Sequence, residues 1–291
     1  MKLLTLNTHS LIGESFGECA MRTVDALVRE EIDLIALQEV NQSTDAPPLE
    51  GQMPNGFVPC GASIPLRADN YVYRLAEVLE QEELPYFWCW LPIKRAYGRY
   101  DEGLAFLSRE PIEEMRVVAL SQIQDYENWK TRMALGVRLS ARKAWFFNLH
   151  MGWWDDPEEP FAEQWRALCA RLPKRDAVWL MGDFNNPAEV RTEGYDLVAE
   201  SGFFDAYLLA GRKNGEATVC GDIDGWHGRI GKEAILRIDQ IWCNRPSRVH
   251  SYRTVFDGRC YERVSDHAGV LIDADVCGVR RKGGDEGASE R

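Results

Sequence analysis

Four apolar runs in this chain each stop at a polar side chain: "KLLTL" at Asn7, "DLIALQ" at Glu39, "AWFFNL" at His150 and "AVWLMG" at Asp183. Runs of this length and character suit short strands buried on both faces, which requires sheets covered by other layers. Two more polar sites interrupt apolar segments: Asp266 and His267 precede "AGVLI", and Asp239 sits within "ILRIDQIW". A carboxylate inside a strand is costly unless it is paired. Acids, amides and imidazoles gathered at strand ends are what an α/β protein places at a functional site.

The run "VWLMGDFNNP" adds a second polar residue beyond Asp183. Side chains alternate along a strand, so Asp183 and Asn185 are expected on one face. Pro187 suits the first position of a helix, with Asn186 as its N-cap.

The rest of the chain reads as alternating elements. "GECAMRTVDALVREEI" carries Ala20, Val24, Leu27 and Val28 at helical spacing, between strands at "KLLTLNTH" and "DLIALQEV". Residues 44–65 form a Pro/Gly-rich loop, followed by a helix with its apolar face at Val72, Leu75, Ala76 and Leu79. Short strands then come in close succession at "YFWCWLPI", "EGLAFLSR", "EEMRVVAL", "MALGVRLS" and "AWFFNLHM". "PFAEQWRALCARL" and "AEVRTEGYDLVAESG" read as helices, and "AILRIDQIWCN" and "HAGVLIDADV" as late strands. No repeat or linker divides the chain. Two packed sheets with helices on their outer faces fit this order. Residues 1–277 are expected to form one catalytic domain and residues 278–291 a disordered tail.

Composition narrows the function. A net charge of -12 works against a long polyanionic partner, because backbone affinity comes mostly from Lys and Arg. The one dense basic run is "VRRKGG" at 279–284. No apolar run approaches the length that crosses a bilayer, and the polar N-terminus lacks the marks of a secretory leader. The expectation is a cytoplasmic protein with no membrane or protein partner. None of the eight cysteines falls in a C-x-x-C pair, so buried reduced thiols are expected.

In order, "LxxLQEV", "NLH", "GDFN", "RIDQIW" and "SDH" resemble the endonuclease/exonuclease/phosphatase superfamily. The resemblance runs from Lys2 to about Asp273. It implies a four-layer α/β/β/α sandwich with two central, mostly antiparallel sheets, like deoxyribonuclease I. It also implies phosphoester hydrolysis with Mg²⁺, for which Mn²⁺ can substitute; oxygen ligands suit such hard cations. Glu39 is then the main metal ligand, with Asn7 and Asp266 beside it. Asp183 orients the attacking water as general base, Asn185 holds water or phosphate, and His150 donates to a phosphate oxygen. Glu102 matches a carboxylate that some members place behind that histidine. Asp239 pairs with His267 and keeps it protonated.

Further stretches, "NWKTRMALG", "HMGWWDD", "GDFNNPAEVRTEGYDL" and "IDGWHGR", resemble bacterial sugar-phosphate phosphatases of the maltose 6'-phosphate phosphatase type. This implies hydrolysis of a small phosphomonoester inside the cell. Lys130 and Arg132 would clamp the phosphate, and Trp153, Trp154 and Trp226 would offer platforms for a sugar ring. The alternative is a DNA nuclease of the apurinic/apyrimidinic endonuclease or exonuclease type. His9 is placed near the pocket rim and His250 at the surface.

Overall fold

The computed structural model describes residues 1–12, 16–221, 223, 225–226 and 234–276. The expected C-terminal tail, its basic run, His227 and Cys277 lie outside the described residues. The first half of the chain gives β1 (Lys2–Asn7), α1 (Phe16–Glu30), β2 (Leu34–Ser43), α2 (Tyr71–Gln81), β3 (Phe87–Ala96), β4 (Tyr100–Ser108) and β5 (Ile112–Ala119). Next come β6 (Met133–Leu139), β7 (Ala144–His150), α3 (Phe161–Arg171), β8 (Ala177–Asp183), α4 (Gly194–Glu200), β9 (Phe204–Asp205) and α5 (Ala206–Leu209). The chain continues through β10 (Lys213–Asn214), β11 (Val219–Cys220), β12 (Ile235–Leu236), β13 (Asp239–Cys243), β14 (Val249–Val255) and β15 (Gly269–Ala274).

The strands form two large sheets, ordered β10-β14-β15-β1-β2-β4-β3 and β5-β6-β7-β8-β13-β9. Three apolar clusters lie at the three interfaces of the four-layer sandwich. One fills the space between the sheets with Leu3, Ala36, Phe106, Phe146, Trp179 and Ile272. A second packs Val24, Leu27, Val72 and Leu75 of α1 and α2 against the first sheet. The third packs Phe161, Trp165 and Val198 of α3 and α4 against the second.

Each sheet holds one parallel pair joined through a helix: β1 and β2 around α1, β7 and β8 around α3. The carboxyl ends of all four strands open at the same edge of the sandwich. The antiparallel neighbours β15 and β13 begin there, paired with β1 and β8.

Several local details depart from the sequence reading. Glu39 does not end its strand. It sits in a bulge of β2, where pairing with β4 jumps from Leu37 to Val40, and its φ is +50°. Asp239 begins β13 rather than interrupting a longer strand. No helix starts at Pro187, and α4 covers only the second half of the expected 188–202 helix. The Asn186 side chain donates instead to the Gly152 and Phe184 carbonyls. None of the seven described cysteines is in a disulfide, yet only Cys89 and Cys243 are buried and Cys220 and Cys260 are exposed.

The bulge is held from the opposite sheet. Asn148 on β7 is fully buried, and its Nδ2 donates to the carbonyls of Leu37 and Ala105, each at 2.8 Å. Its Oδ1 accepts from Gln38 Nε2 at 2.6 Å. Thr8 and Ser10, just past β1, donate to the Gln38 and Glu39 carbonyls. Asn148→Leu should therefore remove the side-chain donor from two buried carbonyls, while the Gln38 amide keeps Thr5 Oγ1 and the Ala36 carbonyl as acceptors. At about 1–3 kcal/mol for each unpaired group, the expected loss in urea unfolding is at least about 2 kcal/mol. A loss under about 1 kcal/mol would show that this link does not hold the bulge.

Candidate active site

In the second sheet, His150, Asp183 and Asp239 stand in one row across β7, β8 and β13. Gly182 lets β8 press against β7 just before that row: its φ is +150°, and a Cβ would stand 2.0 Å from the Leu149 carbonyl oxygen. The first sheet supplies Asn7 from the end of β1 and Glu39 from the bulge. Asn7 joins the two sheets, because its Nδ2 donates to Glu39 Oε1 at 2.8 Å and to Asp183 Oδ2 at 3.2 Å. His150 Nε2 lies 3.9 Å from the same two carboxylate oxygens.

Two imidazoles in this cluster are held in opposite states. His267 Nδ1 meets Asp239 Oδ2 at 2.9 Å. Burial works against its protonation, but the Asp239 charge and hydrogen bond override it and raise the ring well above its ordinary range. Among the described residues His150 has no carboxylate at hydrogen-bond distance, those of Glu39 and Asp183 standing at 3.9 Å. Burial, with Arg132 nearby, keeps it well below the ordinary range and neutral at pH 7. Asp183 is pushed up to about 7 by burial and the Asp239 charge. Burial also opposes ionisation of Glu39, but the His9 hydrogen bond leads a set of interactions that hold its carboxyl well below the usual range.

The donor set fits a hard divalent cation. Glu39 and Asp183 converge on the Asn7 amide, and Asp183, Asp239 and His267 bring ligand-type atoms within 4.8 Å of one another. Oxygen predominates, and no thiolate lies in the set. Asp266 stands at the far side, with Oδ1 3.9 Å from His9 Nδ1, which in turn is 3.2 Å from Glu39 Oε2. His9 thus connects two of the expected ligands, a closer part than the rim position expected for it. His250 pairs at the surface with Asp275.

Glu39, His150, Asp183 and His267 open into a cleft of about 380 Å³, lined also by Lys94, Glu102, Arg132, Tyr97, Trp129, Trp153 and Trp226, while His9 and Asp266 line a neighbouring one. Two expected substrate contacts lie elsewhere. Lys130 Nζ is drawn aside to Asp156 and Glu158, each at 2.9 Å, because those acids occupy the loop facing it. Trp154 packs against the apolar cluster under α3. Asn185 does line the cleft, but its amide is engaged: Oδ1 accepts from Trp226 Nε1 and Nδ2 donates to the Met151 carbonyl, both at 2.9 Å. Glu102 is bound by Lys94 at 3.0 Å, its cross-strand partner, rather than by His150.

Lys94 and Trp129 were not anticipated. Lys94 ends the apolar stretch "YFWCWLPIK", the same pattern that marked the acids and amides. Trp129 is 49% exposed and its ring centroid lies 5.6 Å from that of Trp153. Nothing in "ENWKTR" distinguishes it from a surface residue.

The family model described as "Endonuclease/Exonuclease/phosphatase family" matches residues 4–267, and the chain belongs to that family of phosphoester hydrolases. Its members are generally dependent on divalent metals. An endonuclease/exonuclease/phosphatase family protein from Leptotrichia buccalis C-1013-b is 25% identical, with TM-score 0.81, covering 94% of this chain and 99% of that one. A mannosyl-6-phosphatase from Bacteroides thetaiotaomicron VPI-5482 shares the fold at 17% identity and TM-score 0.62, covering 94% and 99%. D. rerio TDP2, complexed with single strand DNA product, does so at 14% and 0.60, covering 94% and 98%. No curated protein matches the chain in sequence. No described helix is long and apolar enough to cross a membrane.

The His267–Asp239 pair gives a pH-dependent expectation. His267 is more basic folded than unfolded, so while Asp239 stays ionised the pair stabilises fully below about pH 6.5. That stabilisation is lost as pH rises through the elevated value. The urea-unfolding advantage of the metal-free wild type over Asp239→Asn should shrink with rising pH in the alkaline window above about 7, where Asp183 titrates. An advantage constant across that window would show that the ring is not held protonated by Asp239.

Proposed function

We propose that the protein is a divalent-metal-dependent phosphomonoesterase acting on a small phosphorylated sugar inside the cell, with disaccharide 6'-phosphates the leading class. In this reading residues 1–277 act as one catalytic domain. One observation carries it: one small cleft holds Glu39, Asp183 and a buried arginine, Arg132, with exposed Trp129 and Tyr97 among its lining. Its volume suits a small molecule. The protein's net charge of -12 disfavours a nucleic-acid track.

Asn7, Glu39 and Asp266 would hold Mg²⁺, or Mn²⁺ as a substitute, which would supply positive charge to offset that on the phosphate oxygens. Asp183 takes a proton from water as the water oxygen attacks phosphorus. The bond from phosphorus to the sugar oxygen breaks, and that oxygen collects a proton from solvent. His267, held protonated by Asp239, donates a hydrogen bond to a phosphoryl oxygen, and neutral His150 donates a second. Asn185 positions Asp183, since its backbone N–H donates to Asp183 Oδ1 at 2.8 Å, and it also anchors Trp226. Trp153 and Trp129 offer ring faces to the sugar.

The nuclease reading draws support from the fold shared with TDP2, and one fold hosts many chemistries. A panel of sugar phosphates, nucleotides and abasic duplex DNA, assayed with and without Mg²⁺, separates the two. The sugar phosphates should show the highest kcat/KM, and chelation should abolish it. Glu39→Gln should weaken Mg²⁺ binding in calorimetry and lower turnover by roughly two to four orders of magnitude. Full turnover by Glu39→Gln in chelator, or preference for abasic DNA, would overturn this assignment.

A further inference from the structure

The steps above leave Lys94 without a role. It stands on one buried wall of the cleft with Glu102 and Arg132. Lys94 is 6% exposed and Arg132 5%, so both charges are withdrawn from bulk water. Lys94 Nζ pairs with Glu102 Oε1 at 3.0 Å. Both cations also donate to one atom, the Trp129 carbonyl oxygen, Lys94 at 3.0 Å and Arg132 Nη1 at 2.8 Å. A shared acceptor brings their nitrogens within the span of one phosphate group.

Arg132 Nη1 donates a second time, to the Thr131 carbonyl at 3.3 Å, yet both cations keep unmet donors. Among the described residues no carboxylate lies within ion-pair distance of Arg132, and its buried Nε has no hydrogen-bond partner. Lys94 has three N–H bonds, and the carbonyl and Glu102 take two of them. A buried cation with unmet donors is destabilising unless an anion completes it. Burial and mutual repulsion push Lys94 below its ordinary range, as expected of cations crowded without enough counter-charge.

We infer that Lys94 is a specificity-determining residue that, with Arg132 beside it, grips the terminal oxygens of a phosphomonoester and discriminates against diesters. This rests on the phosphatase reading above. A monoester presents three charged terminal oxygens, and a diester two. In a diester the oxygen left for Lys94 carries carbon, which is a poor acceptor and adds bulk against a buried wall. Arg132 can hold an oxygen of either substrate. Lys94 is completed only by the monoester, and a site that leaves a buried polar group unpaired rejects a ligand strongly.

The test compares Mg²⁺-loaded wild type with Lys94→Met and Lys94→Gln, the second keeping a hydrogen bond available to Glu102. The substrates are p-nitrophenyl phosphate and bis(p-nitrophenyl) phosphate. In both variants kcat/KM should fall at least about 30-fold further for the monoester than for the diester. Inorganic phosphate should raise the Tm of the wild type, and this shift should vanish in the variants. Equal losses on both substrates would overturn the inference, as would a phosphate-induced Tm shift that persists in the variants or is absent from the wild type. The last readout needs no variant to fold. A wild type that cleaves the diester and ignores the monoester would overturn the phosphatase reading itself. A wild type whose preference for the monoester survives both substitutions would overturn only the role of Lys94.

Discussion

Two sheets in apolar contact can slide, because hydrophobic packing is not directional. Asn148 removes that freedom. Its amide reaches from β7 to the carbonyls of Leu37 and Ala105 and to Gln38, so one side chain ties a strand of one sheet to two strands of the other. The same contacts hold the β2 bulge that carries Glu39, and His150 follows two residues later on β7. The distance between Glu39 and His150, which belong to different sheets, is thus set by a hydrogen-bonded link rather than by packing alone.

On that frame, burial and pairing divide the ionisable groups into distinct tasks. Identical imidazoles become a cation at 267 and a neutral ring at 150, because burial is opposed by Asp239 at the first and reinforced by nearby Arg132 at the second. The carboxyls diverge too: Glu39, bonded by His9, stays ionised against its burial, while burial and then the Asp239 charge raise Asp183 to about 7. Such divergence between like groups is how one cleft obtains both acid and base at a single pH.

Much of this was legible in the sequence, for a physical reason. Apolar runs that stop at a polar residue report a buried strand reaching a site, and Asn7, His150 and Asp183 end their strands as the pattern says. The pattern failed where structure beyond the strand decides. Glu39 lies inside a strand, because a bulge cannot be read from alternation when both faces are apolar. Asn186 and Pro187 resemble a helix start, yet the Asn186 amide closes a loop across to Gly152. Lys130 and Arg132, two residues apart, looked equivalent. Only the placement of Asp156 and Glu158 turns the lysine away, while Lys94, far off in sequence, arrives through the β3–β4 pairing.

The carbonyl of Trp129 has a consequence for how such a cleft can change over evolutionary time. Lys94 and Arg132 are fastened to the main chain at that position, and the indole itself bonds neither of them. Backbone is common to every residue type, so the ring at 129 is open to replacement while the cationic wall keeps its anchor. Under the phosphatase reading proposed above, the leaving group and the phosphate are read by separable parts of one residue, so a lineage can drift from one sugar to another without rebuilding its grip on the phosphate.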